Sequence, residues 1–185
     1  MTDRNAPKYA IPFFANASTI EPDGNEIISL RYSDTKFAGE NQALFGIGFS
    51  HIRGAGNVGF TLSADAQNFD KDGNFVENVG KESELFQHYN IMGGLTYGVT
   101  DEFYVMPKIG FTYSKYKNKF ADTNCSVLLG CQDFINTNRK DNYSISYGID
   151  FMMISNSLAY GIGVTDVDYF DDRDVRLNLS VGYKF

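Results

Sequence analysis

Tryptophan is missing altogether, histidine and cysteine occur twice each, and proline occurs four times. No stretch approaches the roughly 18 consecutive apolar residues that a membrane-spanning helix needs, and the mean hydropathy is below zero. A transmembrane helix is therefore excluded. A spanning β-barrel is not, because its strands turn apolar side chains to lipid at only every second position and keep the average soluble-like. Basic charge is also short, with 16 Lys and Arg against 23 Asp and Glu, for a formal net charge of -7. Nucleic acid falls away as a partner, since phosphate binding needs a basic footprint. Two thiols cannot complete a tetrahedral zinc site. The run Asp70-Lys71-Asp72-Gly73-Asn74 begins like a calcium loop, but Gly73 stands fourth and Lys81 twelfth where such a loop needs Gly at six and Glu at twelve. Neither a metal nor a cofactor is expected.

What the chain has in quantity is 16 Phe, 12 Tyr and 18 Gly in 185 residues. Aromatics favour strands, and small residues fill a crowded barrel interior. Near the C-terminus Val175, Leu177, Leu179, Val181, Tyr183 and Phe185 alternate with Arg176, Asn178, Ser180, Gly182 and Lys184. That is a period of two without a fault, one face apolar and the other polar. Leu158 to Val164 repeats it, with Ala159, Gly161 and Gly163 on the second face. So do the rows Tyr143 to Met153, Phe103 to Tyr113, Tyr89 to Val99, Val58 to Ala64 and Phe45 to Phe49. A first strand around Ile28, Leu30 and Tyr32 is the least distinct.

Eight such segments, mostly of about 10 to 13 residues, match the roughly 9 to 11 that a tilted strand needs to cross the hydrocarbon layer. A soluble β-sandwich uses strands of about 5 or 6. The expected fold is all-β: a transmembrane antiparallel up-and-down barrel of eight strands, spanning 25–185, with short periplasmic turns and longer extracellular loops. The turns fall at Gly54 to Asn57, Thr100 to Glu102 and Ile154 to Ser157, and the loops near 33–41, 70–86, 117–141 and 166–174. Residues 1–24 read as a periplasmic extension, a plug or an extra strand. The chain opens without a basic segment followed by an apolar run, and Met1 is taken to stand where an export signal has been removed. Pro107 within a central strand predicts a bulge or local distortion, because it lacks a ladder donor.

The ending Ser180-Val181-Gly182-Tyr183-Lys184-Phe185 resembles the C-terminal targeting strand of bacterial outer-membrane proteins, and in particular the close of the small eight-stranded OmpX/Ail, OmpA transmembrane-domain and opacity-protein group. The resemblance implies that Val181, Tyr183 and Phe185 form an assembly signal read by the barrel assembly machinery. It also implies residence in the outer membrane, beside lipid and lipopolysaccharide. It implies no activity, since these barrels differ in their loops.

Under this register Arg31, Asp65, Gln67, His88, Lys108, Asp150, Arg176 and Lys184 point inward. Arg31, Asp65, Lys108, Asp150 and Arg176 are expected to form a polar network. An eight-stranded interior is only wide enough for side chains, which favours a closed salt-bridge network over a path for a small solute. No catalytic residue is assigned: His51 and His88 fall near opposite strand ends, and no ordered nucleophile, base and acid accompany them. Cys125 and Cys131, with five residues between them, suit a disulfide in an oxidising compartment. Between them Val127, Leu128 and Leu129 form an apolar knuckle that either meets a partner or packs onto Phe120 and Phe134. The loop 166–174 carries Asp166, Asp168, Asp171, Asp172 and Asp174 against Arg173, while the cysteine loop is richer in Lys and Arg; contact with lipopolysaccharide, a surface protein or a host protein is one reading, and solvated loop tips the other. The leading functional expectation is an outer-membrane barrel acting through its loops in surface recognition, adhesion or envelope stability. A narrow pore for a small solute is the alternative, and a lipid-modifying enzyme a third.

Overall fold

The computed structural model describes residues 25–37, 40–76, 80–126, 130–170 and 172–185. Eight antiparallel strands close on themselves: β1 (Glu26–Phe37), β2 (Glu40–His51), β3 (Val58–Val76), β4 (Gly80–Gly98), β5 (Phe103–Ser126), β6 (Gly130–Ser155), β7 (Leu158–Tyr169) and β8 (Asp172–Lys184). Closure is made by β1 on β8, from Ile27 opposite Lys184 to Asp34 opposite Leu177. Two backbone bonds finish the seam, from Glu26 N–H to the Phe185 carbonyl at 3.4 Å and from Phe185 N–H to the Glu26 carbonyl at 3.0 Å.

The outward face of every strand is apolar and exposed across the spanning part. Leu30, Ile47, Ile91, Ile109 and Phe111 are each more than 60% accessible, which a protein core would not allow. Along β5 the outward row from Phe103 to Tyr113 covers ten residue steps, about 33 Å of strand, or roughly 25 Å of height at a tilt near 40°. That is the height of the apolar band on spanning barrels. Tyr89, Tyr113 and Tyr143 close the band in one row across β4, β5 and β6, with ring centroids 6.3 and 4.8 Å apart.

The short turns lie where the sequence places them. Asn156, at φ 56°, turns β6 into β7, and Gly56, at φ 76°, serves between β2 and β3. Asp101 Oδ1 accepts the Ala55 N–H at 2.9 Å and so ties two neighbouring turns together. Pro107 gives a milder result than a bulge. The β4–β5 ladder is interrupted between Gly94–Lys108 and Tyr97–Val105, yet the register is the same on both sides of the gap.

The expected loops prove to be mostly strand. β1 and β2 pair up to Phe37–Glu40, β3 and β4 up to Val76–Gly80, β5 and β6 up to Ser126–Gly130, and β7 and β8 up to Tyr169–Asp172. Backbone pairing does not need an apolar face, so the ladder continues after the hydrophobic alternation has stopped. Beyond the tyrosine row β5 runs a further 13 residues, about 40 Å of strand. Residues 1–24, the knuckle Val127, Leu128 and Leu129, and Asp171 lie outside the described residues.

Candidate functional site

The barrel interior is layered. At the end bearing the short turns, Ile27, Ile52, Tyr104, Met106, Met152 and Ile154 form a buried apolar stopper. One layer further in, Arg31 Nε donates to Asp65 Oδ1 at 3.1 Å and Arg31 Nη1 to Asp150 Oδ2 at 2.6 Å, and Lys108 Nζ donates to the same Asp150 oxygen. All four side chains are at most 5% exposed. Two cations and two carboxylates leave this group neutral, the condition under which buried charge is tolerable.

Glycines make room for it. A methyl group on Gly46 would overlap Asp65 Oδ1, one on Gly163 would overlap Asp150 Oδ1, and one on Gly94 would stand 2.7 Å from Lys108 Cγ. Each of these glycines is the direct cross-strand partner of the charged residue that lies over it.

Arg176 stands apart from the ion group. Its Nη2 lies 2.9 Å from His88 Nε2, and its guanidinium lies 5.2 Å from the Tyr169 ring centroid. The expected five-residue network is thus divided into a four-residue ion group and an Arg176–His88 layer, because Arg176 on β8 sits one inward position beyond Asn178, and Asn178 bonds Ser33 and Thr165 instead. Above this layer Phe86, Val167 and Tyr169 are buried against Phe69, Tyr116 and Phe170 and close the hairpin end.

His88 Nδ1 is 2.9 Å from Ser114 Oγ, a serine on the neighbouring strand β5. A guanidinium only donates, so Nε2 must accept from Arg176 and Nδ1 must carry the proton. The imidazole then donates toward Ser114 and is turned the wrong way to withdraw a proton from it. His51 lies at the far end of β2, stacked 5.5 Å from Phe60. Lys184, expected inward, is half-buried at the seam.

Beyond the tyrosine row the β5–β6 ribbon is held by cross-strand polar pairs. Thr123 Oγ1 donates to Asp133 Oδ1 at 2.6 Å, and the Tyr113 hydroxyl donates to Asp141 Oδ1 at 3.1 Å. Cys125 and Cys131 face each other in the ladder and are joined by a disulfide. Asp141 also accepts from Arg139 Nε at 3.0 Å. Desolvation raises the Asp141 carboxyl, but the bonds from Arg139 and Tyr113 outweigh it and hold the group below its ordinary range. In the acidic segment Asp166 is paired with Arg173 at 3.1 Å, and the Asp168 carbonyl accepts from Ser144 at 3.0 Å. Asp172 begins β8. Among the described residues no three acidic, histidine or cysteine side chains are grouped to hold a metal.

Comparison with solved structures bears on this architecture. Ail, the attachment invasion locus protein of Yersinia pestis, crystallised with the heparin analogue sucrose octasulfate, superposes with a TM-score of 0.62 at 15% identity, covering 86% of this chain and 96% of that one. The backbone structure of the same protein in a phospholipid bilayer nanodisc gives 0.56 at 15% identity, covering 88% and 100%. The fold is that of the small eight-stranded outer-membrane barrels. No protein-family model and no curated protein matches the sequence. At such identities the likeness carries the barrel alone, and the layered lumen and tall hairpins have to be read from this chain's own residues.

Proposed function

We propose that the chain is an outer-membrane barrel with a closed lumen that acts through its tall hairpins, in surface recognition, adhesion or envelope stability. One observation carries the reading: the interior is stoppered by apolar side chains at both ends while β3 to β6 extend well past the tyrosine row. The exposed apolar belt supports residence in lipid, because such a surface has no place in water. The short turns would then face the periplasm and the hairpins the exterior. In this setting Val181, Tyr183 and Phe185 are the assembly signal, and Cys125–Cys131 fits an oxidising compartment. The attachment protein of Yersinia pestis, a barrel of the same fold, supports a surface role by its name.

A narrow pore is the second reading. It is favoured by buried lumen groups without a protein partner among the described residues, including both amide atoms of Gln67, Ser63 Oγ and Arg176 Nε. Planar-bilayer recording separates the two. The closed lumen predicts no steady openings at ordinary voltages, and reproducible conductance steps would refute it. Deleting residues 118–139 should leave a heat-modifiable barrel that has lost surface binding; retention of all binding would move the function elsewhere.

A further inference from the structure

The outward face of β5 and β6 changes character abruptly at the tyrosine row. The next row outward is Gln87, Lys115 and Asp141, and the row after it is Leu85, Lys117 and Arg139. Lys117 and Arg139 are direct cross-strand partners. Like charges directly opposite each other repel, so the pair is costly unless an anion lies between them. Asp141 does not fill that place: it accepts a hydrogen bond from Arg139 Nε–H from a position two residues along the strand. The Arg139 side chain is 58% exposed, and its Nη groups make no bond to the described residues.

Height decides what such an anion is. Rows of outward residues are about 6.6 Å apart along a strand, or about 5 Å in height once the tilt is allowed for. Lys115 and the Lys117–Arg139 pair therefore stand about 5 and 10 Å beyond the tyrosines. The headgroup layer on one side of a bilayer is about 5 to 8 Å deep, within reach of these flexible side chains. On β5 and β6 these two rows hold three cations against the one carboxylate of Asp141, a surplus of two positive charges; Asp70 of β3 ends the upper row on the far side of Leu85. A phosphate monoester carries nearly two negative charges at neutral pH.

We infer that Lys115, Lys117 and Arg139 form a docking site for the phosphate monoester of a phosphorylated glycolipid in the leaflet around the hairpins. The inference rests on the membrane reading above and adds a named ligand chemistry to it. Lys117 and Arg139 bridge the phosphate from two strands, Lys115 approaches it from the row below, and Tyr113 and Tyr143 receive the start of the acyl region. Lys140 lies between Arg139 and Asp141 in sequence but on the opposite face of β6, so it carries the same charge without access to the site.

The test uses the full chain folded in phosphatidylcholine nanodiscs with added lipid A, either bis-phosphorylated or dephosphorylated, and reads retained lipid by native mass spectrometry. The wild type should retain the phosphorylated form about tenfold or more over the dephosphorylated one, the ratio expected of one or two charge-assisted bonds. K117Q/R139Q should reduce this to within about twofold while the barrel stays heat-modifiable, and K140Q should leave it unchanged. Equal loss in K140Q, or equal retention of phosphatidylglycerol, would show diffuse attraction and overturn the site. A chain that never enters the nanodisc overturns the membrane reading itself, whereas an inserted barrel that does not discriminate overturns only the docking site.

Discussion

Replacing Asp150 by Asn should be among the most damaging single changes in the barrel. Asp150 receives both Arg31 and Lys108, while Asp65 receives only Arg31. The substitution keeps the side chain's shape, removes one negative charge from a neutral group of four, and leaves Lys108 with no anionic partner among the described residues. Breaking a buried pair by removing one partner costs about 3 to 5 kcal/mol. That is between two and four orders of magnitude in the unfolding equilibrium. Tryptophan is absent, so urea unfolding of the refolded barrel in lipid is followed by electrophoretic mobility and far-UV circular dichroism. A second substitution isolates the cause. D150N/K108M restores charge balance with a side chain of similar length and should return to within about 1 kcal/mol of wild type, because a buried pair exchanged for apolar groups is close to neutral. If D150N fails to refold, the double variant should still do so. A cost below about 1 kcal/mol for D150N, or a double variant no better than the single one, would refute uncompensated charge as the origin.

The glycines under the charged layer give a related prediction: G163A should destabilise by about 1 to 3 kcal/mol through overpacking against Asp150, whereas G93A, where a methyl would lie 3.4 Å from Leu62 Cδ2, should change unfolding by much less. Reduction of Cys125–Cys131, or C125S/C131S, should leave global unfolding unchanged and speed proteolysis of the ribbon tip; closing so short a loop is worth about 2 kcal/mol, and only locally. F185A keeps the seam's backbone bonds and should leave refolding in detergent unchanged, while the amount inserted in cells falls; normal insertion would remove Phe185 from the assembly signal.

The spanning part is legible in the sequence because lipid imposes one demand on every outward position. Val175 to Phe185 and Tyr143 to Met153 show it plainly, and the same register turns Arg31, Asp65, Lys108 and Asp150 inward, where the structure has them. Three-dimensional pairing is not legible. That Gly163 serves Asp150 and Gly46 serves Asp65 depends on which strand residues stand opposite one another, and alternation alone leaves that register open. The division of Arg176 from the ion group has the same origin. His88 and Ser114, 26 residues apart, become neighbours only through the β4–β5 register. The hairpins read as loops because the hydrophobic period fades beyond Tyr113 while the backbone ladder does not.

A tall ribbon raises a problem that the closed part of the barrel does not have. The β6–β7 ladder stops at Tyr147–Asp166, so the backbone of β6 from Gly130 to Ser146 is paired with β5 and, among the described residues, has no strand laddered on its other side. An exposed edge of that length invites pairing with another chain. Its sequence counters this with Arg139, Lys140 and Asp141 in succession and with Asn136, Asn138 and Asn142, residues that resist edge-to-edge association by charge or by poor strand propensity. The same cluster of charge that protects the edge also supplies Arg139 to the headgroup layer. Edge protection needs charge on either face of β6, whereas phosphate docking needs it on the outward face alone, so comparing R139Q with K140Q for association and for lipid retention separates the two roles: both should promote association of barrels kept folded in detergent, and only R139Q should lose the lipid.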